Sequence, residues 1–300
     1  MNALGNTPGS TLRRAPYKLP GKDRSFRIRG EGRKGVLLIH GLTGAPSEMK
    51  SVGRVLHRRG FSLYAPMLAG HGGTEADLLK TDWRDWVESA KAAYLEFAQE
   101  VDEVYVAGIC AGGAIGLELC AAFPEIKGAA AYSMLFEYDG WNMPKITLGA
   151  PVIQAVANLP GLRALSFTQP HPYGFKDERL RGLAENALDA LIPGALARMP
   201  MGCMYQLYRL ARHVERVAPT IKAPVLIVHA AEDDMANPRN AHRLKAALGG
   251  PAEVVLLEDS YHMVHVDREH VRTGELTASF FGAPLAAAAA GEARAAVVNA

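Results

Sequence analysis

The sequence predicts an α/β chain, a doubly wound and mostly parallel sheet with a helical cap inserted into it. Three observations carry that expectation. Short apolar, β-branched runs recur along the chain, nearly continuous in their apolarity rather than alternating, as strands buried on both faces require. Amphipathic stretches at helical spacing lie between them. One long stretch, Met134 to Pro219, interrupts the alternation between two strand-like runs.

The apolar runs are Val36 to Ile39, Phe61 to Ala65, Val104 to Ala107, Ala129 to Ser133, Val225 to His229 and Val254 to Leu257. Helices are expected over Ser47 to Arg59, where Gly60 is a stop, and over Trp83 to Gln99, with Thr81 or Asp82 as N-cap. Ala114 to Phe123, Asn240 to Leu248 before Gly249-Gly250, and Asp267 to Phe281 supply three more. Met134 to Pro219 holds prolines, glycines and scattered helix-like pieces with no convincing strand, and is expected to cover the sheet as the cap. The folded domain is expected over residues 21–285, with the cap at 134–219. The Gly/Pro/Thr-rich residues 1–20 and the Ala-rich residues 286–300 are expected to be disordered tails.

Composition narrows the function classes. The chain has 300 residues, 49% hydrophobic and 21% charged, enough to bury a large core as one domain. Its net charge of +2 comes with scattered basic residues, so no nucleic-acid footprint is expected. The three cysteines, Cys110, Cys120 and Cys203, form neither an even disulfide framework nor a close-spaced metal pair, which fits a reducing cytoplasm. No window approaches the roughly 18 apolar residues of a membrane span, so no transmembrane segment is expected.

The chemistry concentrates at the ends of the strand-like runs, where ligands of open α/β sheets gather. Gly108-Ile109-Cys110-Ala111-Gly112 follows one run and opens a helix, the pattern of a nucleophile elbow whose small residues permit a sharp strand-to-helix turn. Glu232-Asp233 lies just past Val225 to His229, and His262 just past Val254 to Leu257. Nucleophile, acid and base therefore follow one another in the order that this elbow demands. Cysteine attacks as thiolate, an imidazole takes its proton, and a carboxylate holds that ring in one tautomer. An oxyanion needs preorganised donors, which the backbone N–H groups of Ala111 and Leu42 are placed to supply.

Each assignment has a bland competitor. Cys120 and Cys203 read as small buried hydrophobes. His265 competes with His262, and Asp234 and Glu232 compete with Asp233; nearness to the strand end favours His262 and Asp233. His71 reads as structural, and His40 as a residue that shapes the oxyanion loop. Met134, Phe136, Tyr138, Trp141, Met143, Met199, Met201, Met204, Tyr205 and Tyr208 are expected mostly to pack the cap, with some lining an apolar acyl pocket.

Five segments together resemble the α/β-hydrolase superfamily, and within it the small carboxylesterase and monoacylglycerol-lipase branch. They are His40-Gly41-Leu42-Thr43-Gly44, Ala69-Gly70-His71-Gly72-Gly73-Thr74, the elbow, Asp233-Asp234-Met235-Ala236-Asn237-Pro238 and Ser260-Tyr261-His262, within residues 35–282. The resemblance implies hydrolysis of a small-molecule carboxylic ester through an acyl-enzyme, with Asp233 and His262 as triad members; a thioester substrate stays open, and no metal or organic cofactor is expected. It departs at Cys110, where most such elbows carry serine. That departure keeps acyl transfer and polyester-type synthesis or depolymerisation in view. A ligand-binding protein on the same scaffold is the non-catalytic alternative.

Overall fold

The computed structural model describes residues 19, 21–143, 159 and 161–282, and the two expected tails fall outside them apart from Leu19. All six apolar runs form strands: β2 (Lys34–Ile39), β3 (Ser62–Ala65), β4 (Glu103–Ile109), β5 (Ala129–Tyr132), β8 (Val225–Ala230) and β9 (Ala252–Leu257). With β1 (Phe26–Ile28) they make a seven-stranded sheet in the order β1-β3-β2-β4-β5-β8-β9. Only β1 runs antiparallel, along β3; the other pairs are parallel. Sequence reading missed β1 because three partly exposed edge residues do not make a buried run.

Helices cover both faces, and individual residues show which helix takes which. A side chain on Gly35 of β2 would meet the ring of Phe97 at 2.7 Å, so that face belongs to α3 (Trp83–Phe97). Leu38, of opposite parity, lies 3.2 Å from where a Cβ on Gly53 would stand, so the other face belongs to α1 (Lys50–Arg58). Asp82 caps α3 in a reciprocal capping box with Asp85, worth about 1 kcal/mol. Thr81 instead accepts a hydrogen bond from the Trp86 indole at 3.0 Å. The four-residue α2 (Glu75–Leu78) precedes this helix, and α4 (Ala111–Ala122) follows β4 directly.

Between β5 and β8, where no strand is expected, the described residues contain two: β6 (Ser166–Thr168) pairs antiparallel with β7 (Arg198–Pro200), and residues 144–158 and 160 of the expected cap lie outside the described residues. Two three-residue strands separated by about thirty residues carry no local periodicity, so only their pairing reveals them. Short helices α5 (Glu178–Asn186) and α6 (Leu188–Leu191) lie between these strands. The 17-residue α7 (Met201–Val217) packs on α4 and α3. The chain closes with α8 (Arg239–Ala247) and α9 (His270–Gly282), the latter packed on α1. No helix among the described residues is long and apolar enough to cross a membrane.

Candidate active site

The elbow is built by three residues with different duties. Cys110 holds φ 52° and ψ −110°, a conformation that L residues rarely adopt, and its N–H donates to the Tyr132 carbonyl at 2.8 Å. The turn closes because its flanking residues lack side chains. A Cβ on Gly108 would lie 2.4 Å from the Gly112 carbonyl, and one on Gly112 would lie 2.1 Å from the Ile39 carbonyl oxygen. Cys110 therefore stands at the carboxyl end of β4 and at the N-terminus of α4.

His262 reaches that sulfur. Its Nδ1 lies 3.0 and 3.1 Å from the two Asp233 carboxylate oxygens, and its ring interacts electrostatically with Cys110, beside which it lines one cavity. The residue is held on both sides, since Ser133 Oγ donates to its carbonyl at 2.7 Å and Asp234 Oδ1 accepts from its N–H at 3.3 Å. Burial opposes a charged ring, but Asp233 and Cys110 outweigh it and hold His262 well above the ordinary imidazole value. Burial likewise opposes a charged Asp233, yet the rings of His262 and His229 hold its carboxyl well below the usual carboxylate range. Asp233 also accepts from the N–H groups of Met235 (2.9 Å) and Ala236 (2.8 Å).

The competing residues go elsewhere. Asp234 holds backbone rather than the ring, accepting from the Gly174 N–H at 3.0 Å as well as from the His262 N–H, and burial with the adjacent Asp233 charge pushes it up to about 6. Glu232 is exposed and pairs with Lys176 at 2.7 Å. His265 is fully buried, neither ring nitrogen is hydrogen-bonded among the described residues, and burial pushes it down to about 3. Burial pushes the thiols of Cys120 and Cys203 up to about 12. His71 is buried beside His40, its Nδ1 on the Ala69 carbonyl at 3.0 Å.

A cavity of about 150 Å³ opens over the sulfur. Leu42, Glu48, Cys110 and His262 line one part of it, and Phe175, Leu188, Ile192, Leu196, Met199 and Met263 give it an apolar wall. Among the Met and aromatic residues singled out above, Tyr138 and Met199 face this cavity, while Trp141 is exposed. Neither the Leu42 nor the Ala111 N–H is used in a hydrogen bond among the described residues; Leu42 lines the cavity with Cys110, and Ala111 follows Cys110 in the chain. Three residues here escaped sequence reading as partners of the site. They are Glu48, whose carboxyl accepts from the Gly41 N–H in the loop His40 to Gly44; His229, on Asp233; and Tyr138, which lines the cavity with Cys110 and interacts with it. Only the position of His229 at a strand end, four residues before Asp233, gave a local signal. Among the described residues, no group of three His, Cys, Asp or Glu side chains is placed to hold a metal ion.

Known proteins share this arrangement of elements. The family model for serine aminopeptidase, S33, matches residues 30–269. The chain is 26% identical to the thermostable monoacylglycerol lipase of Bacillus sp. (strain H-257) over 251 residues, 83% of this chain and 91% of that protein. It is 24% identical to a carboxylesterase of Bacillus subtilis (strain 168) over 248 residues, 82% and 91% of the two lengths. Among solved structures, a metagenome-derived lipolytic enzyme superposes with a TM-score of 0.72 at 25% identity, covering 88% of this chain and 98% of that one. The monoacylglycerol lipase of Paleococcus ferrophilus superposes with a TM-score of 0.71 at 17% identity, covering 87% and 98%. The fold is that of the α/β-hydrolases.

Proposed function

The chain belongs to the serine aminopeptidase, S33, family of α/β-hydrolases, and from that premise we propose that it is an ester hydrolase working through an acyl-enzyme on Cys110. One observation carries the reading: a single buried imidazole, His262, stands as a bridge between the Asp233 carboxylate, to which it is hydrogen-bonded, and Cys110, with which it lines a largely apolar cavity.

The steps follow from that bridge. His262 takes the thiol proton, and Sγ attacks the ester carbonyl carbon while the π pair moves to oxygen. The N–H groups of Leu42 and Ala111 receive that oxyanion, and Asp233 balances the imidazolium. The carbon–oxygen bond then breaks, and His262 protonates the departing alkoxide. In the second half, water gives its proton to His262 and attacks the thioester, and the proton returns to the departing sulfur. Thioesters enter the same cycle with a thiolate as first leaving group. Phe175, Leu188, Ile192 and Met263 offer an acyl chain an apolar wall, which favours apolar acyl groups over charged ones.

Incubation with a panel of nitrophenyl esters and acyl thioesters, followed by intact-protein mass spectrometry, tests this reading. A mass gain equal to the acyl group and located on Cys110 is expected, together with loss of turnover once iodoacetamide has labelled that thiol. Unchanged turnover after complete labelling would overturn it.

A further inference from the structure

We propose that Glu48 is a positioning residue: its buried carboxyl holds the Gly41 N–H while His40 and Gly44 hold the Gly41 carbonyl, and Gly41, anchored from both sides, aims the Leu42 N–H at the oxygen of the attacked carbonyl. This inference rests on the acyl-enzyme reading and deepens it.

Glu48 sits in the 3₁₀ turn Pro46–Met49, just beyond the loop His40 to Gly44, and is 4% exposed. Its Oε1 accepts from the Gly41 N–H at 2.6 Å, and its own N–H donates to the Ala45 carbonyl at 3.0 Å. The loop is moulded on that carboxyl, because a Cβ on Gly44 would lie 2.3 Å from Glu48 Oε2. Gly44 is therefore needed for close approach.

His40 holds the other side of the same residue. Its Nε2 accepts from the Leu68 N–H at 3.2 Å, so the ring proton resides on Nδ1. Nδ1 then donates to the Gly41 carbonyl at 2.9 Å, and the Gly44 N–H reaches that carbonyl at 3.1 Å. Gly41 thus has its N–H fixed by Glu48 and its carbonyl fixed by His40 and Gly44. A trans peptide is planar with its C=O and N–H antiparallel, so fixing the Gly41 oxygen fixes the direction of the Leu42 N–H. Gly41, Leu42, Glu48, Cys110 and His262 all line one cavity, which places this assembly beside the reacting sulfur.

The ionisation of Glu48 is consistent with such a place. Burial pushes its carboxyl up to about 7, against the pull of the Gly41 and Ala45 backbone and of His262. Below about pH 7 the carboxyl is mostly neutral and serves as an acceptor for the amide without presenting a full charge to an oxyanion.

The test separates oxyanion positioning from nucleophile integrity. A phenethyl trifluoromethyl ketone takes the Cys110 sulfur at its carbonyl carbon, the π pair moves to oxygen and nothing leaves, so its affinity reads the oxyanion site; fluorine NMR reports the adduct. Iodoacetamide is displaced at a saturated carbon with no oxyanion, so its rate reads the thiolate alone. Glu48→Ala is expected to weaken the ketone adduct by roughly 10- to 100-fold, while alkylation stays within about twofold. Ester kcat should fall with the adduct while KM moves little. Glu48→Gln keeps an acceptor at the same reach and is expected to lose less than about fivefold. Glu48→Asp is one methylene shorter and should resemble alanine, so the Gln and Asp pair carries the test if the alanine form does not fold. Equal adduct affinity in wild type and Glu48→Asp, or a parallel fall of adduct affinity and alkylation, would overturn the inference. A wild-type chain that is alkylated yet neither forms the adduct nor hydrolyses esters defeats the acyl-enzyme reading itself, and this inference with it.

Discussion

His229 lies against Asp233, with its Nε2 3.2 Å from the carboxylate Oδ2 and 2.8 Å from the Ala236 carbonyl oxygen. A carbonyl only accepts, so Nε2 carries the proton and shares it between two acceptors. Asp233 is thereby surrounded by donors: two imidazoles and the N–H groups of Met235 and Ala236. Removing one donor from a buried carboxylate leaves it partly unsatisfied. His229→Leu is expected to cost about 1–3 kcal/mol of stability and to lower ester turnover several-fold, read by denaturant unfolding and steady-state rates. A fully stable and fully active leucine variant would show that the second imidazole contributes nothing.

Asp233→Asn removes the charge that outweighs burial at His262. The ring should then favour its neutral form, with its pKa moving down from its raised value toward and below the ordinary one. Turnover is expected to fall by roughly 10²- to 10⁴-fold. Histidine NMR titration checks the direction of the shift; an unmoved His262 resonance would contradict the assigned cause.

Gly112→Ala places a Cβ 2.1 Å from the Ile39 carbonyl oxygen, and neither atom belongs to a flexible side chain. The β2 end and the first turn of α4 must therefore separate. A loss of about 3 kcal/mol or more is expected, with turnover abolished even in molecules that remain folded. Gly182→Ala, in an open position on α5, is the control and should be neutral or slightly stabilising.

Glu48 links stability to pH with a definite sign. Its carboxyl has an ordinary value of 4.5 and a folded value of about 7, so between these the folded state keeps a proton that the unfolded state has lost. Its contribution is fully present below about pH 4.5 and falls as pH rises through about 7, by about 3 kcal/mol in all. Glu48→Gln cannot ionise and escapes this loss. The Tm advantage of the glutamine variant over wild type should therefore be larger at about pH 8.5 than at about pH 5. An advantage independent of pH would place the raised ionisation elsewhere.

The sheet was legible because buried parallel strands write themselves into the sequence as short continuous apolar runs, each of which formed a strand. What escaped was either too short or paired too far away: β1 at the edge, and β6 with β7. The elbow was legible for a similar reason, since Gly108, Cys110 and Gly112 shape one local turn. Glu48 was not, because an acid in a helical turn after Pro46 reads as an ordinary solvated side chain. Its partner, the Gly41 N–H, is set by how the loop folds back over it.

By itself, therefore, the sequence determined the layering of the chain, the elbow and the set of acids and histidines that stand at strand ends. Those follow from patterns only a few residues long. Tertiary structure alone decided which of three adjacent acids meets an imidazole. Asp233 faces His262, Asp234 turns to the Gly174 N–H, and Glu232 pairs with Lys176 in solvent. It also decided that His265 stays buried without a ring partner among the described residues while His262 stands between Asp233 and Cys110. The reason is physical: hydrogen bonds act over about 3 Å, and the groups they join here come from strands and loops brought together only when the sheet closes its core.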